Sequence, residues 1–251
     1  MQQLKGKNIW IIGASSGIGA ALAKQLSSVG TNVIISARNA SKLEEVQKTL
    51  HDGQHALYPL DITDYQKAQD VFKAIKVTYK QLDSIIFMAG IYNPGKLEEH
   101  DISVVKQIAQ INFVGALHIA HLAIPFFKEQ KFGQLVLCSS VAGYRGLPNS
   151  QPYGATKAAL NNLAESLRAE HQASDLDIKL ICPGFVATEL TAKNDFPMPF
   201  IITPEEAAER IAKFLPGKCF CLDFPKRFTV FIRLLRILPC RIYFWLMKYA
   251  R

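Results

Sequence analysis

The stretch Asn8-Ile-Trp-Ile-Ile-Gly-Ala-Ser-Ser-Gly-Ile-Gly19 decides the fold of this chain. Its first five residues form a short apolar strand, and a helical pattern follows the last glycine and continues to about Val29. A glycine-rich turn in this context brings backbone N–H groups and the positive end of a helix up to a phosphate. Gly13 permits the tight turn, while Gly17 and Gly19 let the backbone approach the ligand. The alternative is an ordinary strand–helix turn whose glycines are incidental.

Strand-like and helical stretches alternate along the rest of the chain, which has 251 residues and is 49% hydrophobic. This alternation is typical of parallel sheets with helices on both faces, so we predict an α/β, doubly wound sheet of the Rossmann type. The length and apolar content suit one large domain, placed at residues 1–223, followed by a helical tail at residues 224–251. The predicted strands are Asn8–Ile12, Thr31–Ser36, Gln54–Pro59, Leu82–Met88, Gln134–Ser139, Asp177–Cys182 and Lys218–Asp223.

The sequence predicts several helices, and capping residues mark the starts of three of them. One longer helical segment runs from about Ile102 to Gln130 and contains Asn112. Taken alone, Asn112 is an ordinary polar residue in a helix. A further helical run covers about Gly154 to His171. The predicted helix starts are the capping boxes Ser41-x-x-Glu44 and Thr63-x-x-Gln66, and Thr203-Pro-Glu-Glu206 with proline at the first helical position.

Two residues at strand ends concern the choice of dinucleotide. In dinucleotide-binding sheets an acid after the second strand holds the ribose hydroxyls, whereas an arginine accommodates a 2′-phosphate. Here the second strand ends Ser36-Ala-Arg38 without an acid, which favours NADP(H) over NAD(H). The alternative is that Arg38 only caps the sheet edge.

Asp61 follows the third strand. It is predicted either to border the cofactor crevice or to cap the helix that begins nearby.

A second informative stretch runs from Cys138 to Lys157. Tyr153 and Lys157 are four residues apart at the start of a helical run, so they share one helix face. A neighbouring ammonium group favours the phenolate and lowers the pKa of a tyrosine, as proton transfer near neutral pH requires. Ser140 lies at a strand end, from which the chain returns over the first turn of that helix. An exposed tyrosine, a solvated lysine and a turn serine are the alternative.

Composition and charge exclude several classes of protein. The formal charge of +8 comes from the tail: residues 224–251 hold seven basic residues and no acidic one, which leaves 22 basic against 21 acidic residues elsewhere. We therefore predict no nucleic-acid binding by the main domain. The five cysteines are odd in number and lack metal-ligand spacing, so we expect reduced thiols and no metal. We expect neither a signal peptide nor an uninterrupted apolar stretch long enough to span a membrane. We therefore predict a cytoplasmic protein.

Taken together, these motifs resemble the classical short-chain dehydrogenase/reductase family over about residues 5–223. The turn Gly13-x-x-x-Gly17-x-Gly19 matches the cofactor turn of that family. The family commonly has Asn-Ala-Gly after the fourth strand, whereas this chain has Met88-Ala89-Gly90. The resemblance therefore implies a difference in the stability of the sheet or in the affinity for the cofactor. The other matching residues are the catalytic tetrad Asn112, Ser140, Tyr153 and Lys157, and the nicotinamide-side loop Pro183-Gly184 with Thr188.

The resemblance implies an NADP(H)-dependent oxidoreductase that interconverts a carbonyl and an alcohol. In this role Tyr153 gives or takes the proton and Ser140 hydrogen-bonds the substrate oxygen. Lys157 lowers the pKa of Tyr153 and binds the nicotinamide ribose, and Asn112 holds a water that relays protons. The rival interpretation is a non-catalytic NADP(H)-binding sensor or scaffold on the same fold. The implied cofactor contacts are Gly13, Ser15, Ser16, Gly17, Ile18, Gly19, Arg38, Asp61, Ile62, Ala89, Gly90, Asn112, Tyr153, Lys157, Pro183, Gly184, Val186 and Thr188.

The expected substrate side is apolar and aromatic, which favours a hydrophobic, lipid-like substrate. The segment Glu189–Ile202, rich in proline and phenylalanine, suits a mobile lid. Arg145 is predicted to be a solvated loop residue, and contact with an anionic group is the alternative. The substrate contacts are assigned to Ser140, Tyr92, Tyr144 and Phe185, and the wall is completed by Val141, Leu190, Phe196, Met198 and Phe200.

The tail combines helical periodicity with an all-basic charge. Lys226, Thr229, Arg233 and Arg236 fall on one predicted polar stripe, with apolar residues on the other faces. After Pro239 a second basic stripe contains Arg241, Trp245, Lys248 and Arg251, opposite Ile242, Phe244 and Leu246. Such a helix indicates peripheral contact with the cytoplasmic face of a membrane or, alternatively, packing on the domain or on another subunit. The family resemblance also implies a homo-oligomer, either a dimer or a tetramer.

Overall fold

The computed structural model describes residues 2–249 and contains a seven-stranded, entirely parallel sheet. The strand order is β3-β2-β1-β4-β5-β6-β7, so the direction of the order reverses between β1 and β4. In open α/β sheets, ligands bind at the carboxyl ends of the strands at such a switch point. The predicted doubly wound sheet is therefore confirmed. The strands are β1 (Asn8–Ile12), β2 (Asn32–Ala37), β3 (Ala56–Pro59), β4 (Ser84–Phe87), β5 (Gly133–Cys138), β6 (Leu176–Pro183) and β7 (Cys221–Phe224).

Helices cover both faces of the sheet, and this arrangement explains the near-continuous apolar runs of the strands. Trp10 and Phe87 belong to the buried cluster on one face, whereas Ile11 and Ile86 belong to the cluster on the other face. The helices are α1 (Gly17–Ser27), α2 (Ala40–Gln47), α3 (Tyr65–Tyr79), α4 (Ile102–Ala109), α5 (Gly115–Gln130), α6 (Tyr153–Glu170), α7 (Pro204–Phe214), α8 (Lys226–Ile237) and α9 (Cys240–Met247).

Two of the three predicted helix caps are wrong. The side chain of Asn39 caps α2 by accepting a 2.9 Å hydrogen bond from the backbone N–H of Lys42, so Ser41 lies inside the helix. Asp64 rather than Thr63 caps α3 in the same way. Asn and Asp are at least as good at capping as Ser and Thr. Asn39 lies two residues before the predicted cap, and Asp64 lies one residue after it. The box at Thr203 is confirmed: Thr203 and Glu206 exchange hydrogen bonds at the start of α7.

The long helical segment is not one continuous α-helix. Between α4 and α5 the chain forms a π-helical segment, Gln110–Val114, which contains Asn112. Such segments are rare and often occur at functional sites. Residues 102–130 are also the only described run that is long and apolar enough to cross a membrane, by length and composition alone. Its buried side chains pack against the sheet.

The tail forms α8 and α9, which fold back onto the domain. One face of α8 is buried through Thr229, Ile232 and Leu235, and α9 contributes the buried Tyr243. This cluster packs against Val141, which follows Ser140 in the chain. The predicted polar stripe on α8 is therefore interrupted, because Thr229 is buried and its hydroxyl donates to the carbonyl of Lys226. Arg251 lies outside the described residues.

Candidate active site

A cleft of about 990 Å³ opens at the carboxyl ends of the strands. One end is lined by the glycine turn after β1 and by the end of β2, including Arg38. The other end is apolar and is lined by the segment after β6 and by residues of α8 and α9. Tyr153 and Lys157 lie between the two ends. The cleft therefore joins the motifs that are far apart in the sequence.

The glycine turn needs glycine at two positions for geometric reasons. Gly13 has a φ of +92°, and a Cβ atom there would lie 2.5 Å from the backbone N of Ala89. Gly17 has a φ of +55°, and its Cβ would lie 3.1 Å from Cγ2 of Thr188. A side chain at either position would be strained and would crowd the cleft. The backbone thus stays open in front of the first turn of α1.

Most of the predicted cofactor contacts line this cleft, and two do not. Asp61 forms the turn before α3: its carboxylate accepts hydrogen bonds from the N–H and hydroxyl of Thr63 at 2.9 and 2.7 Å. Asn112 is fully buried behind the cleft. The predicted residues that line the cleft are Gly13, Ser15, Ser16, Gly17, Ile18, Gly19, Arg38, Ile62, Ala89, Gly90, Tyr153, Lys157, Pro183, Gly184, Val186 and Thr188.

Arg38 shapes the electrostatics at the end of β2. Burial alone would raise the pKa of Asp61, but the hydrogen bonds from Thr63 and the charge of Arg38 outweigh it and lower that pKa. Lys42 also lines this end of the cleft and forms a 3.2 Å ion pair with Glu189 across it. Two cations therefore border the dinucleotide end of the cleft.

The Ser140–Tyr153 pair forms as the sequence spacing predicts. Ser140 follows β5, its hydroxyl accepts a 3.1 Å hydrogen bond from the N–H of Ala142, and it lies within hydrogen-bonding reach of the Tyr153 phenol. Tyr153 is the first residue of α6, and its ring meets that of Tyr92 edge-on with the centres 4.9 Å apart. The Ser140 hydroxyl donates a 3.3 Å hydrogen bond to the carbonyl of Pro183, and both Ser140 and Tyr153 line the cleft.

The pKa of Tyr153 is raised in this structure, whereas the spacing to Lys157 predicted that it would be lowered. Burial raises the pKa of Tyr153 well above its ordinary value, and the hydrogen bond from Ser140 offsets this only in part. The Lys157 ammonium lies 5.4 Å from the centre of the Tyr153 ring and donates a 2.9 Å hydrogen bond to the carbonyl of Cys138. Burial also lowers the pKa of Lys157. Desolvation therefore outweighs the attraction between the two groups.

Asn112 acts through its side-chain amide on the neighbouring backbone. Its Oδ1 accepts from the N–H of Ile91 at 2.8 Å, and its Nδ2 donates to the carbonyl of Ile91 at 2.9 Å and to the hydroxyl of Thr156 at 3.2 Å. Ile91 lines the cleft and Thr156 lies on α6 beside Lys157. The π-helical segment therefore positions the loop after β4 and the first turn of α6 relative to each other.

Aromatic side chains form the apolar end of the cleft. The ring of Phe185 meets that of Phe196 at 6.0 Å and that of Phe228 at 5.0 Å between centres. Phe185 thus connects the segment after β6 with α8. The predicted wall residues Tyr92, Val141, Phe185, Leu190 and Phe196 line the cleft, whereas Met198 and Phe200 do not.

Tyr144 and Arg145 have roles that differ from those predicted. Tyr144 does not line the cleft, because its hydroxyl turns away and donates to the carboxylate of Asp223 at 3.3 Å. Arg145 does not line the cleft, and it is only partly exposed to solvent. Its guanidinium lies 4.1 Å from the centre of the Tyr243 ring. It also donates hydrogen bonds of 2.8–3.0 Å to the carbonyls of Leu235, Arg236 and Leu238 at the end of α8.

The cleft wall also contains residues that sequence reasoning missed. The signal was available, since an amphipathic helix directly after the edge strand β7 starts close to the carboxyl ends of the other strands. The family resemblance covers only about residues 5–223, so it predicts no cleft wall contributed by the tail. The additional lining residues of the tail are Phe228, Phe231, Ile232, Leu235 and Met247.

Comparisons with known proteins agree with this geometry. The family model described as short chain dehydrogenase matches residues 7–197. A Myxococcus xanthus protein named as an oxidoreductase is 31% identical over 241 residues, or 95% of each chain.

Two solved structures share the fold at lower identity. A short-chain dehydrogenase/reductase from Burkholderia phymatum, in complex with NAD, has a TM-score of 0.86 at 20% identity, covering 93% of this chain and 94% of that one. A protein named ElxO, with NADP bound, has a TM-score of 0.78 at 23% identity, covering 87% and 96%. Since the family model spans most of the chain and the Myxococcus relative matches it almost end to end, the chain belongs to the short-chain dehydrogenase/reductase family of oxidoreductases.

Proposed function

We propose that this oxidoreductase uses NADP(H) to interconvert a carbonyl and an alcohol on a hydrophobic substrate, with Tyr153 as the general acid and base. The single observation that carries the proposal is the shared cleft. It joins the glycine turn and Arg38 to Tyr153 and then to the aromatic wall around Phe185. A dinucleotide and an apolar substrate can thus meet at the phenol.

The residues at the dinucleotide end suit a nicotinamide cofactor. The open backbone at Gly13 and Gly17 suits a pyrophosphate at the start of α1. Arg38 and Lys42 suit the 2′-phosphate of NADP(H), because a guanidinium recognises phosphate through charge and through paired N–H donors. When bound there, the nicotinamide would supply the hydride, while the protein supplies orientation and electrostatics.

The buried phenol suits a proton donor. Because burial raises the pKa of Tyr153, its hydroxyl stays protonated at neutral pH and can give its proton to an oxygen that gains negative charge. The Ser140 hydroxyl, which lies beside it, can donate to the same oxygen. The protonated form of Tyr153, which reduction of a carbonyl requires, is therefore its dominant form near neutral pH.

The apolar wall supports a hydrophobic substrate. Phe185, Phe196 and Phe228 form connected ring contacts, and tail residues extend the same wall. A sugar would need polar partners on this wall to replace the water that it gives up. Aldehydes and ketones with long aliphatic or aromatic parts fit these surroundings.

The test is a spectrophotometric assay of NADPH oxidation with a series of aldehydes and ketones of increasing chain length. We expect turnover that rises with the apolar area of the carbonyl compound and is lower with NADH. Fluorescence titration of the same preparation with NADPH measures cofactor binding, which distinguishes an enzyme from the rival non-catalytic protein. Tight NADPH binding without turnover of any carbonyl or alcohol would favour a non-catalytic sensor or scaffold.

A further inference from the structure

The tail helix α8 has two apolar faces, and only one of them packs on the domain. Thr229, Ile232 and Leu235 are buried against the domain. On the opposite side, Val230 and Leu234 each remain 55% exposed and Ile237 is 76% exposed. Apolar side chains on two opposite sides of a helix are stabilised only when both sides are buried. The outer face of α8 is therefore a surface that needs a partner.

The short helix α9 continues this surface. Tyr243 is buried against the domain, whereas Ile242, Phe244 and Trp245 remain exposed on the outside. Scattered exposed apolar residues are normal, but a run of them along two consecutive helices marks an interaction site. Trp and Tyr rings at such positions are typical of the boundary between lipid and water.

The positive charge of the tail favours an anionic partner. Lys226 and Arg233 both pair with the buried carboxylate of Asp223, at 2.6 and 2.5 Å. The other four described cations of the tail take part in none of the ion pairs among residues 2–249, and no acidic residue follows Asp223. These four cations are Arg227, Arg236, Arg241 and Lys248.

We propose that the outer face of α8 and α9 docks on a bilayer that contains anionic phospholipid. Apolar side chains would enter the headgroup region, while the long Arg and Lys side chains reach the lipid phosphates. A symmetric pairing of two copies through this face fits less well, because the same patch meets itself and places cations against cations.

The position of the cleft gives this docking a consequence. Phe231 is 55% exposed on α8 and also lines the cleft, so the cleft reaches the surface beside the docking face. Docking would thus bring the cleft next to the lipid phase, from which a hydrophobic carbonyl compound could enter. This second step rests on the proposed function, whereas the docking itself does not.

The test uses the full chain with vesicles of phosphatidylcholine alone or mixed with phosphatidylglycerol. We expect co-sedimentation with the mixed vesicles that weakens at high salt. The double variant Val230→Ser/Leu234→Ser should bind at least about tenfold more weakly, since it removes two side chains that the lipid would bury. Neither residue lines the cleft, so NADPH turnover of a water-soluble carbonyl should stay unchanged.

A charge variant and a matched control separate lipid docking from general effects. Arg227→Glu/Arg236→Glu should bind anionic vesicles at least about tenfold more weakly and lose the preference for them, because each cation near such a surface adds to the attraction. Lys48→Glu/Lys73→Glu makes the same change in net charge at exposed positions outside the tail and should bind like the unmodified protein. Equal binding by all three proteins would overturn the proposal.

Fluorescence supplies a second readout that needs no activity. The chain has two tryptophans, the fully buried Trp10 and the 57% exposed Trp245. On mixed vesicles we expect a blue shift of the Trp245 emission and its quenching by brominated lipid, with Trp245→Phe losing both. Self-association of the unmodified chain, abolished by Val230→Ser/Leu234→Ser without any vesicle binding, would assign the face to a second copy instead. Failure of these vesicle tests leaves the carbonyl assay unaffected, so the two proposals fail separately.

Discussion

The ammonium of Lys157 lies 5.4 Å from the centre of the Tyr153 ring, yet burial raises the pKa of that tyrosine. The phenol is therefore protonated throughout the neutral range, and its conjugate base is scarce there. The two directions of the proposed reaction use these two forms, so they should depend on pH differently.

We expect the reduction rate to be independent of Tyr153 ionisation from about pH 6 to 9, because the ordinary pKa of tyrosine is near 10 and burial raises it further. The oxidation rate should rise by up to about tenfold per pH unit over the same range, since it needs the phenolate. Steady-state rates in both directions across this range test the prediction. A reduction rate that falls through a midpoint near neutral pH would contradict it.

Tyr153→Phe should lower turnover by at least about 100-fold, the usual scale of general acid–base catalysis. The variant keeps the ring that meets Tyr92 but loses the hydroxyl that faces the substrate. NADPH binding, measured by fluorescence titration, should stay nearly normal because the glycine turn and Arg38 are unchanged. Turnover close to that of the unmodified enzyme would rule out this mechanism.

Arg38→Asp should weaken NADPH binding by roughly tenfold to a hundredfold and favour NADH, because a carboxylate repels the 2′-phosphate and can accept from the ribose hydroxyls. Titration with both cofactors measures the change. Lys48→Asp, at an exposed position of the helix cap that follows α2, is the matched control for net charge. A preference of the unmodified chain for NADH would show that Arg38 does not select the phosphate.

Arg145→Met should lower the free energy of unfolding by about 2 kcal/mol and raise the KM for hydrophobic carbonyls. The guanidinium holds the last carbonyls of α8 and stacks on Tyr243, so its loss releases one wall of the cleft. Denaturant unfolding and steady-state kinetics measure the two effects.

Arg145→Lys is the informative comparison, because lysine keeps the charge but cannot reach several carbonyls with one planar group. We expect it to behave more like Arg145→Met than like the unmodified protein. Equal stability and equal KM in all three proteins would show that α8 is held by its apolar contacts alone.

Motifs with fixed local geometry could be predicted from the sequence. The glycine turn, the doubly wound parallel sheet implied by strand–helix alternation, and the approach of Ser140 to Tyr153 depend on short spacings along the chain. Helix caps were less predictable, since Asn39 and Asp64 lie within two residues of equally plausible capping residues. Which of two neighbours caps a helix depends on where the chain leaves the preceding strand.

Features that depend on distant contacts could not be predicted. The direction of Tyr144 depends on Asp223, which lies 79 residues away in the sequence, and the role of Arg145 depends on carbonyls at the end of α8. The pKa of Tyr153 depends on how deeply the finished fold buries it, which the spacing to Lys157 does not reveal. The expected oligomer and the cytoplasmic location stay predictions.

The tail wall of the cleft also has a consequence for biosynthesis. A chain is made from its N-terminus, so the glycine turn and Tyr153 leave the ribosome before α8 and α9, and early segments can begin to fold first. Because Ile232 and Leu235 line the cleft, its apolar end is unfinished until they have been synthesised and docked. Under the proposed function, a growing chain would thus gain the parts that hold the dinucleotide before the parts that enclose a substrate.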